Sequence, residues 1–305
     1  MQKSDKIKII HYGKGCANII ARLNKIFEEI ARDIIVVENF ESSKEHTEAE
    51  QIQMLSRGEI CFTHFGSMFP MMWVPDYDLG GIPFLFSSIE DVEGYWNSWC
   101  GQKAKLLIQE RGNSRIIGMN RRSPRQLTSN FPIMEPEDLI GFRLRIPEID
   151  AWKTVWDAFG TQCIQMPQGY VLGHLKSGEL DGQENSLQVI KDFRLYEAQK
   201  YLSCTNHIYG HIFWAMNEDF YNNLDRTVRE LFEEALMRLT AQLNTELDLS
   251  TRLLEKELER YGCSLVNVNG AEFALAAQKG IRFALRRMAP EVRAYMYKYI
   301  GKMPL

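Results

Sequence analysis

The sequence predicts an α/β protein built as two lobes, and three observations carry that reading. Residues 7–65 alternate strand-like and helix-like runs, residues 136–186 repeat the same β-α-β-α-β order, and a helical pattern over 220–262 is too long for one lobe. Strands that alternate with helices of roughly 10 to 15 residues make βαβ units and a mostly parallel sheet.

In the first alternation IKIIHY (7–12) reads as a strand, NIIARLNKIFEEIA (18–31) as a helix and the β-branched run IIVVENF (34–40) as a second strand. EAEQIQMLSRG then forms a helix ending at Gly58, a residue suited to a left-handed cap, before a third strand EICFTHF (59–65). Beyond His64, FGSMFPMMWVPDYDLGGIPFLF is loop-like yet strongly apolar, so it must bury itself as cleft wall or interdomain packing. A long helical segment is expected from about Glu90 to Arg111, then strands RIIGMN (115–120) and RQLTSN (125–130) either side of the breaker SPR.

The second alternation runs through a helix start EPEDLIG, a strand FRLRIP, a helix AWKTVWDAFG, a strand TQCIQM, a helix YVLGHLKSGEL and a polar turn DGQENS. In FRLRIP, Arg143 and Arg145 are two apart while Phe142, Leu144 and Ile146 alternate with them, so a strand turns both guanidinium groups to one face. The crossing near 120–125 and the return near 205–213 are expected to form hinge strands. Over 220–262 Leu224, Val228, Leu231, Phe232, Leu236 and Leu239 recur at spacings of three and four. A helix of about 40 residues would extend about 60 Å, enough to run along both lobes. CSLVNVN (263–269) reads as a late strand, and two amphipathic helices close the chain. Lobe I is expected to hold 1–123 plus 211–252, and lobe II 124–210 plus 253–305.

Composition excludes several classes. The 305 residues are 45% hydrophobic with a formal net charge of −4, and Lys and Arg interleave with Asp and Glu, so nucleic acid is not an expected partner. The most apolar runs, Met68 to Val74 and Ile82 to Phe86, fall far short of the roughly 20 residues that span a bilayer. The opening MQKSDKIKII lacks the apolar stretch and cleavage site of an export signal, so the chain is expected to be either cytoplasmic or a processed form. Six dispersed cysteines show no CxxC pair and read as small buried thiols, which leaves the compartment open. HIYGH has the spacing of paired zinc ligands but lacks the Glu of HExxH, and no nucleophile–base arrangement or phosphate loop appears. Neither a metal, a cofactor nor an enzymatic activity is expected.

The segment MEPEDLIGFRLRIPEIDAWKTVWDAFGTQCIQMPQGYVLGHLKSGELDGQENS resembles the second-lobe signature of the solute-binding proteins of TRAP transporters, the DctP type. Asp138, Leu139, Gly141, Arg145, Pro147, Leu175, Gly178, Asp181, Gly182, Glu184 and Asn185 stand in register with it. RGEICFTHFGSMFP, GIPFLF, RQLTSNFPI and TNHIYGHIFWAMNEDFYNNL extend the resemblance along most of residues 7–280.

The resemblance implies a periplasmic-binding-protein-like fold with a central cleft, hinge strands and a long helix spanning both lobes. It implies a small organic acid as ligand, with Arg145 forming the bidentate pair to its carboxylate, Asn185 assisting, and Arg125 supplying a second contact. Gln168, His207, Tyr209 and Phe65 are further expected ligand contacts, whereas Arg143 is expected to be a surface or supporting cation. Tyr170, Val171 and Leu172 replace the family's Glu-Val-Tyr, Gly66 stands where sialic-acid binders carry a glutamate, and ESSKEHTEAEQ replaces a glycine-rich segment. The implied partners are the small and large membrane subunits of a TRAP carrier, and the implied location is periplasmic, without direct membrane insertion. An intracellular enzyme or sensor on the same fold is the competing reading, and docking on a receptor kinase ectodomain is a third.

Overall fold

The computed structural model describes residues 7–13, 16–31, 34–40 and 46–300, with side chains to 298. The opening residues 1–6 and residues 41–45 of the ESSKEHTEAEQ segment lie outside the described residues. Eleven strands are described: β1 (Ile7–Tyr12), β2 (Ile35–Phe40), β3 (Phe62–Phe65), β4 (Ser114–Arg121), β5 (Arg125–Ser129), β6 (Arg143–Ile146), β7 (Gln162–Gln165), β8 (Gly182–Ser186), β9 (Tyr201–Cys204), β10 (His211–Asn217) and β11 (Ser264–Asn267). They form two sheets, in the orders β2-β1-β3-β10-β4 and β11-β9-β5-β8-β6-β7.

The chain divides into two compact units, each holding one sheet. The first comprises residues 1–74, 103–121 and 211–246, and the second 75–102, 122–210 and 247–305. Both sheets are mixed. In the first, β1 is parallel to β2 and β3 while β10 is antiparallel to β3 and β4. In the second, β6 is parallel to β7 and β8 while β5 is antiparallel to β8 and β9. The core of the first unit packs Ile9, Val37, Phe62 and Trp214 of the sheet against Leu23, Phe27, Phe232 and Leu236 of helices. One core of the second gathers Val171, Leu175, Leu187, Ile190, Leu202 and Leu258.

Local chemistry accounts for the helix ends. The Glu48–Ser56 helix starts at a capping box in which Thr47 and Glu50 bond each other's backbone N–H, and Gly58 follows it at φ +74°, the left-handed position expected of it.

Five expectations need correction. The segment Glu90 to Arg111 is two helices, Ile89–Asn97 and Trp99–Gly112, because Ser98 is extended, its hydroxyl donates to the Tyr95 carbonyl at 2.6 Å and it accepts the Gly101 N–H. EPEDLIG forms only a 3-10 turn, Pro136–Leu139, and Gly141 at φ +75° turns the chain directly into β6. DGQENS is not a turn but leads into the interior strand β8. The long helical segment is broken into Glu218–Asn223 and the 35-residue Arg226–Arg260, because Leu224 is extended and Asp225 caps the new start by accepting the Thr227 N–H at 2.8 Å. The boundary between the compact units falls inside that second helix, between residues 246 and 247.

The fifth difference concerns lobe membership. Residues 75–102 belong to the second unit, although sequence order groups them with lobe I. Tyr77 donates to Glu291, the Ala289 N–H donates to the Asp76 carbonyl, and Phe84 packs edge-on against Trp156 at 5.5 Å. The apolar stretch is thus divided: Met68–Trp73 is a helix whose Phe69 stacks on Phe65 of the preceding strand, and the part from residue 75 onward buries itself in the second unit, against Trp156 and the end of the chain.

Candidate functional site

Gly182 determines how closely β8 approaches its neighbours. A Cβ at this position would meet the Thr128 carbonyl oxygen at 2.1 Å and the Phe142 ring at 2.6 Å, so only glycine fits between β5 and β6. Along β8, alternation then turns Gln183 and Asn185 to one face of the sheet and Glu184 to the other. Arg145 of β6 stands beside Gln183 and shares its face.

The two arginines of FRLRIP have different partners. Arg143, half-exposed, donates from Nε and Nη2 to the two oxygens of Asp181, whose carboxyl it holds below the usual carboxylate range. Arg145 is only 2% exposed. Its Nε and Nη2 both donate to the Met166 carbonyl, at 2.9 and 2.6 Å, which fixes the plane of the guanidinium, and Nη1 donates to Gln168 Oε1 at 3.0 Å.

Asn185 meets the same oxygen. Its Nδ2 donates to Gln168 Oε1 at 2.9 Å and, with its other hydrogen, to Gln183 Oε1 at 3.2 Å. Gln183 Nε2 in turn donates to Thr128 Oγ1, and that hydroxyl donates to Gln199 Oε1 at 3.0 Å. Gln199 Nε2 ends the chain on the Ala198 carbonyl at 3.3 Å. Each amide in this buried series has its orientation set by the next, so Asn185 presents N–H rather than oxygen beside Arg145.

The opposite face of β8 carries a buried ion pair. Glu184 is fully buried, with Oε1 accepting from Arg125 Nη2 at 2.8 Å and Oε2 accepting from Arg125 Nε and from His207 Nε2 at 3.0 Å. Burial pushes its carboxyl up, but the Arg125 charge and the His207 hydrogen bond outweigh burial and hold it below the ordinary range. His207 is also shifted down, but for a different reason: burial lowers it below its usual value, against the pull of Glu184. A neutral imidazole that gives its Nε2 proton to Glu184 must accept at Nδ1, and the Thr205 hydroxyl lies there at 2.8 Å. Arg125 also lies over the Trp152 ring, 4.7 Å from its centroid.

Of the expected site residues, Arg145, Asn185 and Gln168 are brought together by direct hydrogen bonds, and Arg125 and His207 meet at Glu184. Tyr209 is half-buried in the segment that pairs with β5, where the Arg125 N–H donates to the Ile208 carbonyl at 3.0 Å. Phe65 lies in the first unit, buried and stacked on Phe69 at 5.1 Å. Sequence reasoning missed the roles of Glu184 and Gln183, although Glu184 stands in the family register and both lie in an unbroken polar run after a glycine. It also missed a polar group in the first unit, where His11 Nδ1 meets Asn39 Oδ1 at 2.8 Å, His11 Nε2 meets His64 Nδ1 at 3.1 Å, and Cys16 Sγ lies 3.6 Å from His64 Nε2. Both histidines lie toward the carboxyl ends of parallel strands, the edge where α/β sheets bind ligands, and that position was a usable signal.

Comparison with known proteins identifies the family and the fold. The profile of the DctP family, described as bacterial extracellular solute-binding protein, family 7, matches residues 17–288. A solute-binding protein of Roseobacter denitrificans is 30% identical over 261 residues, covering 85% of this chain and 78% of its own. The sialic acid-binding periplasmic protein of Vibrio cholerae is 25% identical, over 73% of this chain and 69% of its own. Among solved structures, a TRAP periplasmic solute-binding protein of Roseobacter denitrificans with bound L-galactonate superimposes with a TM-score of 0.85 at 25% identity, covering 97% of this chain and 99% of that one.

Proposed function

This chain belongs to the DctP family of TRAP solute-binding proteins, and on that premise we propose that Arg145 and Asn185 hold the carboxylate of a small organic acid that the protein delivers to a membrane permease. The class is one of transport, not catalysis, and its members are periplasmic. The observation that supports the ligand reading is the convergence of Arg145 Nη1 and Asn185 Nδ2 on a single acceptor oxygen, at 3.0 and 2.9 Å.

Two donors from different strands, one of them charged, suit a carboxylate oxygen better than a hydroxyl or a ketone. Hydrogen bonds from a guanidinium to an anion are roughly twice as strong as neutral ones. The buried amide series from Gln199 to Asn185 sets the donor direction before a ligand arrives, which lowers the ordering cost of binding. Arg125 and His207 act from the other face by keeping Glu184, and with it β8, in position. L-Galactonate, bound by the Roseobacter protein, is a reasonable first acid to try. The partners in this reading are the small and large membrane subunits of a TRAP carrier, and the working location is outside the cytoplasmic membrane.

A thermal-shift screen tests it with L-galactonate, C4-dicarboxylates, sulfonates and the matching carboxamides. An acid at 100 times its Kd stabilises the folded protein by about 2.7 kcal/mol, and its carboxamide gives no shift. Failure of every carboxylate and sulfonate, or equal shifts with the neutral carboxamides, contradicts the proposal.

A further inference from the structure

Gln168 occupies the position where the two donors converge. Its Oε1 accepts from both Arg145 Nη1 and Asn185 Nδ2, while its Nε2 is buried with no hydrogen-bond partner. Turning the amide over would bring Nε2 against two donor groups, so the observed orientation is the only one the site accepts. A buried donor left without an acceptor is unfavourable. The side chain is therefore held by what the site needs, an oxygen, at the expense of its own other end.

We propose that Gln168 is a built-in occupant of the carboxylate site, its amide oxygen standing in for a carboxylate oxygen until an acid displaces it. The inference rests on the reading of Arg145 and Asn185 as the acid anchor, and it makes Gln168 a competitor of the ligand rather than a contact. Gln168 opens a one-turn 3-10 segment directly after Pro167. Proline fixes φ at residue 167, so the departure proposed for Gln168 is a rotation of its side chain. On leaving, Nε2 regains hydrogen bonds to water.

The arrangement favours anions. A carboxylate turns the Arg145 bond into an ion pair and the Asn185 bond into a charge-assisted one, whereas an alcohol, ester or carboxamide displaces an equivalent amide without that gain. The apparent affinity for any ligand is reduced by the fraction of time the site is occupied from within.

Calorimetric titration with L-galactonate and a carboxyl titration test this together. Gln168→Ala is expected to bind L-galactonate about threefold tighter or better, because the occupied fraction is removed. Gln168→Glu is expected to bind it at least about a hundredfold more weakly, since a tethered carboxylate competes at high effective concentration. The carboxyl introduced by Gln168→Glu, followed by carbon-13 NMR, should titrate below the ordinary glutamate range and return to it when Arg145→Ala is added.

Unchanged or weaker binding by Gln168→Ala overturns the inference, and so does an ordinary titration of the introduced carboxyl. Should wild-type protein not bind L-galactonate, the NMR measurement decides alone. Failure of the anchor reading is distinguishable, because Arg145→Ala would then keep wild-type affinity for L-galactonate.

Discussion

Asp78 is 1% exposed, with Oδ1 accepting from the Gly81 N–H at 3.2 Å and Oδ2 buried without a partner. Burial raises its carboxyl from 3.8 to about 7, and the Gly81 and Gly80 N–H groups offset only part of that. The folded state thus holds the proton to a higher pH than the unfolded chain does. The stability from this residue is fully present below the unfolded value and is lost as pH rises from about 4 to about 7. At roughly 1.4 kcal/mol per pH unit, that window corresponds to a loss of about 4 kcal/mol at most. Asp78→Asn should therefore melt above wild type at pH 8 and show a flatter melting profile between pH 4 and 7. Parallel profiles in calorimetry would refute the assignment. Nothing in PDYDLGG distinguishes the buried Asp78 from the half-buried Asp76, because full burial of a single carboxylate is a property of the packed loop.

Strand β8 shows why a polar run can be an interior element. Gly182–Ser186 has no apolar residue to alternate, so sequence pattern makes it a turn, yet every one of its residues is buried. The strand is stable there because its side chains are bonded on both faces, through Gln183 and Asn185 on one and through Glu184 with Arg125 and His207 on the other. Such mutual satisfaction is invisible until the neighbouring strands are known. Gly182 is the steric condition for it, since an added Cβ strikes backbone at Thr128. Overpacking against a backbone that cannot yield costs about 1–3 kcal/mol or more. Gly182→Ala is expected to lose at least that much in a urea melt, and a midpoint equal to wild type would show that β5 and β8 are not locked as described. By contrast, β1, β2 and β6 follow hydrophobic and β-branched patterns, and those were legible directly. The break at Ser98 was not, because a serine inside a helical pattern signals a cap only when its own backbone is extended.

Across the whole molecule, sequence order and spatial order part company. The α/β class, the repeated alternation and the long helix were readable from periodicity alone, whereas residues 75–102 join the second unit because their partners, Phe273 and Glu291 among them, come from the far end of the chain. The candidate site was legible in part for the same reason. Alternation put Arg143 and Arg145 on one face, and family resemblance singled out Arg145, but only packing shows Arg143 engaged by Asp181 and Arg145 facing Asn185. The central claim is that this second arginine, and not the first, anchors the ligand's carboxylate. Isothermal titration of Arg145→Ala and Arg143→Ala with the acid giving the largest thermal shift tests it most directly. Loss of a buried charge-assisted pair costs about 2–5 kcal/mol, so Arg145→Ala should weaken binding by about thirtyfold or more while Arg143→Ala stays within about threefold of wild type. Equal losses, or a larger one at Arg143, would contradict the account.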